Sequence, residues 1–144
     1  MKKAIYSVVF SFLTMAAFAQ EHGHTDNSHK YDGYTDTTHA IILEQLLKSK
    51  GLENKGVQIM IVDLPPKSKS IAHIHPCETF GYVIEGEIES VFEGKTYHYK
   101  AGEAFYELPN GKHTATLNND AVKPAKLVVF YIHDKGKPTF LPIK

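Results

Sequence analysis

The chain has 144 residues, 42% hydrophobic and 22% charged, with sixteen basic and sixteen acidic side chains. That balance excludes a disordered or collagen-like polymer, and the length suits one domain rather than two catalytic ones. Every basic residue is Lys and there is no Trp. Without Arg the planar fork that grips phosphate bidentately is missing, and at zero net charge no nucleic-acid role is expected.

From the N-terminus, Lys2 and Lys3 precede a mostly apolar run, Ile5 to Phe18, and Ala17-Phe18-Ala19 is a small-x-small cleavage site. Residues 1–19 therefore read as a secretory signal, with a mature chain that begins at Gln20 and is periplasmic or secreted. The alternative is an uncleaved anchor, but the apolar run of about 14 residues is short of the roughly 20 that span a bilayer. No membrane anchor is expected after cleavage, which leaves fourteen lysines against sixteen acids, a net charge of −2.

Residues 20–38 are polar, carry His22, His24 and His29, and read as a flexible tail. As the third residue of the mature chain, His22 offers a square-planar Cu(II) or Ni(II) site with the terminal amine and two amides, and His24 stands beside it. A solvated tail with incidental histidines is the plainer reading. Residues 39–144 then form a single domain. Its only cysteine, Cys77, precludes an internal disulfide and is either a packing thiol or a reactive one.

Ala40 to Leu47 fits a short helix as well as a strand. Beyond it the alternation is of period two over Val57–Val62, Phe80–Ile84, Glu87–Phe92, Thr96–Tyr99, Ala104–Leu108, His113–Leu117 and Lys126–His133, punctuated by Glu93-Gly94, Ala101-Gly102 and Asn110-Gly111. About eight short strands and no long helix indicate a sandwich, jelly roll or small barrel. His98 and His133 sit within this pattern and read as structural or surface residues.

His73-Ile74-His75 places two imidazoles on one face of an extended segment, so their nitrogens converge, and His113 follows a turn that could bring it alongside. Three neutral imidazoles around an open position suit one divalent ion, Fe, Zn, Ni, Cu or Mn.

The stretch from His73 through Glu78, Thr79 and Gly81 to Gly86 resembles the first motif of the cupin family, and Gly102 through Pro109 and Gly111 to His113 and Asn118 is similar to the second. The resemblance covers about Val57 to His133 and implies a double-stranded β-helix, the jelly-roll barrel, with His73, His75 and His113 as metal ligands. It departs in three places. Lys67 stands where the family has Gly, Thr79 stands where it has its ligand Glu, and the spacing near Pro109 is shifted by one. Three readings of the fourth position follow: Thr79 holds a water, Glu78 swings inward, or no metal binds and the histidines line a polar pocket. Strand parity puts Thr79, Gly81 and Val83 on one face and Glu78, Phe80, Tyr82 and Ile84 on the other.

The expected activity is that of a small exported metal enzyme of dioxygenase or isomerase type acting on a small molecule. The alternative is a periplasmic small-ligand or metal-binding protein without turnover. Cupins commonly pair, and the apolar strand Phe80–Ile84 makes a homodimer the expected assembly.

Overall fold

The computed structural model describes residues 35–143, which form twelve strands and no helix. The first six are β1 (Thr35–Asp36), β2 (Thr38–Leu46), β3 (Lys55–Leu64), β4 (Ser68–Lys69), β5 (His73–Ile74) and β6 (Glu78–Glu85). The remaining six are β7 (Glu87–Phe92), β8 (Lys95–Lys100), β9 (Ala104–Glu107), β10 (Lys112–Asn118), β11 (Ala125–Asp134) and β12 (Leu141–Pro142). The signal and the histidines at 22, 24 and 29 lie outside the described residues. The expected tail, however, overlaps the fold: Thr35–Asp36 pairs in parallel with Ser68–Lys69, and Thr35 N–H donates to the Lys67 carbonyl at 2.9 Å.

The segment that fitted helix and strand equally is a strand, because β3 offers it an open edge. It pairs from Thr38↔Asp63 to Leu46↔Gly56, with a bulge between Ile41 and Leu43. β2, β3, β11, β6 and β9 form a five-stranded sheet in that order, and the other seven strands form the second sheet around β10. The inner face of the first sheet buries Leu64, Val83, Leu127, Val129 and Tyr131, which cluster with Ile88 of the second. This is the all-β architecture expected from the strand pattern, in the jelly-roll form implied by the family resemblance. Lys67 takes the left-handed conformation, φ 52°, so the backbone turn for which the family pattern has Gly is kept with a lysine in it.

Register builds the site in transverse rows across the inner face. Ile41, Met60, Val129, Gly81 and Phe105 are successive cross-strand partners and make an apolar floor. Gly81 is required there: a β-carbon on it would lie 2.1 Å from the Phe105 ring. The next row, Glu44, Gln58, Tyr131, Thr79 and Glu107, is polar.

Candidate metal centre

His73 is paired in register with His113 across β5 and β10, and His75 follows two residues on, so all three imidazoles are buried at one mouth of the barrel. One ligand-capable atom from each lies within 4.8 Å of the others. The structure therefore brings together the three histidines singled out by the sequence, and they could hold a metal ion.

Backbone carbonyls decide which nitrogen of each ring is bare. His73 Nδ1 is 2.8 Å from the Ile71 carbonyl and His75 Nδ1 is 2.6 Å from the Thr139 carbonyl. A carbonyl only accepts, so both Nδ1 atoms carry the hydrogen and both Nε2 atoms present lone pairs. Those two lone pairs face each other at 3.1 Å. His113 is oriented in the opposite sense: its Nε2 lies 3.0 Å from the Ala115 carbonyl, with the hydroxyls of Ser90 and Thr116 at 3.1 and 3.0 Å. Its bare atom is Nδ1. Phe140 stacks on His73 at 4.6 Å between centroids, and Tyr131 lies against His75 at 5.0 Å, which limits how far these rings swing.

The acidic partner is one that sequence reasoning missed. Glu107, 3% exposed, brings Oε1 to 3.0 Å from His113 Nδ1 and Oε2 to 3.8 Å from His75 Nε2. Neither Glu107 Oε1 nor His113 Nδ1 has a hydrogen-bond partner, although both are buried. A carboxylate oxygen and an imidazole lone pair repel at that distance unless they share a proton or a metal ion. These orphaned atoms, with the two facing Nε2 lone pairs, make the residues a fit for a divalent ion.

Of the three fourth-ligand readings, the one that swings Glu78 inward is not what the structure shows. Thr79 faces the cavity; its hydroxyl donates to the Cys77 carbonyl at 3.2 Å and keeps its lone pairs for a water. Glu78 is on the outward face and accepts a hydrogen bond from the Tyr106 hydroxyl, so it is turned away from the histidines. Thr79 is the cross-strand partner of Glu107. The carboxylate absent from β6 is thus supplied next door on β9. Its signal in the sequence was an acid at the inward parity of Ala104–Leu108, two residues after inward Phe105.

Burial, helped by the neighbouring His113 and His75, pushes the His73 imidazole down to about 3. Burial also lowers His75, with the Thr139 carbonyl and Glu107 opposing. Both rings are therefore neutral, as metal ligands must be. Burial raises the Tyr131 hydroxyl, and Glu107 adds to the effect. Cys77 is buried in the core and its thiol is raised by burial, which favours packing over reactivity. His98 is exposed, as a surface residue is, whereas His133 is 4% exposed and lines the same cavity as the cluster. That cavity has a volume of about 570 Å³. A wider depression of about 860 Å³, bordered by Gly86, Tyr99 and Asn118, includes none of the three histidines.

The profile of the cupin domain family matches residues 60–131. The chain belongs to the cupin family. It is similar, at TM-score 0.59 and 21% identity, to an uncharacterized conserved protein with a double-stranded β-helix domain from Klebsiella pneumoniae, covering 81% of this chain and 90% of that one. It is also similar to an oxalate oxidase in complex with the substrate analogue glycolate, at TM-score 0.51 and 25% identity, over 60% of this cupin and 46% of the oxidase. KdgF from Halomonas matches at TM-score 0.52 and 16% identity, over 74% and 86%. No curated protein matches the chain significantly.

Proposed function

We propose that this cupin is an exported enzyme with one divalent metal held by His73, His75, His113 and Glu107, acting on a small carboxylate in an oxygen-using, dioxygenase-like or isomerase-like reaction. The observation that carries it is the convergence of bare, buried donor atoms, His113 Nδ1 and Glu107 Oε1 above all, at the wall of a 570 Å³ cavity. A divalent ion held there would supply Lewis acidity and, if redox-active, electron transfer. Three neutral imidazoles and one carboxylate leave such an ion with a net positive charge, which favours an anionic ligand. The oxalate oxidase–glycolate complex supports a carboxylate as that ligand. The protein's own part is to orient the donors through the Ile71 and Thr139 carbonyls and to cover them with Phe140. Export rests on Lys2-Lys3, the apolar run and Ala17-Phe18-Ala19.

The test is elemental analysis of untagged protein recovered without nickel resin, its intact mass reporting removal of residues 1–19, followed by oxygen uptake and product analysis with small carboxylates. The expected result is near one equivalent of metal and turnover with at least one carboxylate. Metal without turnover of any carboxylate under Fe, Mn, Ni, Cu or Zn would overturn the enzyme reading in favour of a non-catalytic ligand-binding protein.

A second copy of the chain is the partner we propose for the outer face of the five-stranded sheet. Tyr106, Phe80, Phe130 and Ile59 are successive cross-strand neighbours there, and the first three are 38–46% exposed, as are nearby Tyr82, Ile84 and Ile132. A contiguous aromatic patch of this kind is self-complementary under a two-fold axis. Light scattering is expected to report a dimer, with Phe80→Lys/Phe130→Lys monomeric; a monomeric wild type at high concentration would overturn it.

A further inference from the structure

One buried polar atom, on a residue that lines the cavity, is left unused by the metal centre. His133 stands two residues beyond Tyr131 on β11, about 7 Å along the strand, and its Nδ1 is 3.0 Å from the Asp134 carbonyl. That carbonyl takes the hydrogen of the neutral ring, so Nε2 is a bare acceptor. It is buried and has no hydrogen-bond partner. The ring reaches this position because its cross-strand partner is Gly56: a β-carbon there would lie 2.8 Å from Nε2. A buried acceptor with nothing to accept from is destabilising, and a hydrogen-bond donor on a ligand would recover that loss.

Beside it stands Gln58, the β3 partner of Tyr131, buried and lining the same cavity. Thr139 Oγ1 donates to Gln58 Oε1 at 2.9 Å. This occupies the carbonyl end of the side-chain amide and makes the NH₂ the end offered to a ligand. A bare acceptor next to an amide donor is complementary to a hydroxyl group, which both donates and accepts. A plain methyl end would leave both unmatched, and a second carboxylate would meet the His133 lone pair with another lone pair.

We propose that His133 and Gln58 form a hydroxyl-recognition corner, so that the ligand of this cavity is a short-chain hydroxycarboxylate. Its carboxylate sits at the His73–His75–His113 cluster and its hydroxyl lies several carbon atoms away at His133. The proposal rests on the metal-centre reading for the carboxylate end only. His133 is a specificity residue in this arrangement: it selects the far end of the ligand and takes no part in holding metal.

The experiment is calorimetric titration of the metal-loaded protein with matched pairs: butanoate, pentanoate and hexanoate against their ω-hydroxy counterparts. The metal content of each sample is measured alongside. At least one hydroxy acid is expected to bind about tenfold more tightly than the plain acid of equal length. In His133→Leu that advantage, the ratio of the two affinities, disappears, with the retained metal showing that the variant is folded; His133→Gln, which keeps an acceptor, restores part of it. Equal affinities in the wild type, or an advantage that survives in His133→Leu, overturn the proposal. If metal is retained in that case, only the hydroxyl corner falls. If no metal is retained and neither acid binds, the metal-centre reading falls with it.

Discussion

Glu107→Ala lowers metal affinity by at least about 100-fold, beyond the 10–100-fold typical of groups that only orient a ligand, while Thr79→Ala and Glu78→Ala leave it within about threefold. The contrast follows from position. Glu107 is buried with Oε1 facing the bare Nδ1 of His113 at 3.0 Å, whereas the Thr79 hydroxyl donates to the Cys77 carbonyl and Glu78 faces outward to Tyr106. The measurement is competition with a chromophoric chelator, run beside His73→Ala/His113→Ala as the variant with no centre left. Equal affinity in wild type and Glu107→Ala would show that the carboxylate is merely a hydrogen-bond partner of the histidines. A loss in Thr79→Ala as large as in Glu107→Ala would return the fourth position to β6.

Metal-free protein is expected to lose stability steeply in mild acid. The unfolded His73 imidazole takes a proton near its ordinary value of about 6.5, whereas in the fold it is held down to about 3 by burial and by His113 and His75. Between these limits the unfolded state binds the extra proton, so stability falls as the pH falls. The slope from this one group rises to about 1.4 kcal/mol per pH unit below the ordinary value and amounts to about 2 kcal/mol from pH 6.5 to 4.5. Above pH 6.5 both states are neutral and the slope from His73 vanishes. Urea unfolding of chelator-treated protein at pH 7.5, 5.5 and 4.5 measures it, and His73→Gln is the control, with a profile shallower by one proton. Identical profiles for wild type and His73→Gln would mean that His73 is protonated inside the fold.

Much of this site was legible because it is local. His73 and His75 share a face by alternation alone, the period-two pattern of β3, β6 and β11 separates core from surface, and Gly102 to His113 spans a turn of recognisable length. The same alternation correctly puts Phe80, Tyr82 and Ile84 outside and Thr79, Gly81 and Val83 inside. Two-residue strands such as Ser68–Lys69 and Leu141–Pro142 are too short to carry a period, and they exist because β1, β5 and β10 offer them partners.

Alternation along the chain is enough to establish an all-β domain with an apolar inward face and a pair of imidazoles aimed at one point. Tertiary structure decided which groups meet them. Glu107 is a ligand candidate only because β9 lies against β6 with Glu107 opposite Thr79, and a shift of one residue would have turned it to solvent. His75 is oriented by a carbonyl 64 residues away, on a segment with no periodic signal. His133 is buried over Gly56 by the pairing of β11 with β3. Strand alternation depends on neighbours in the chain and can be read from it. Register depends on the summed fit of whole sheets, and it was register that placed the carboxylate beside the histidines.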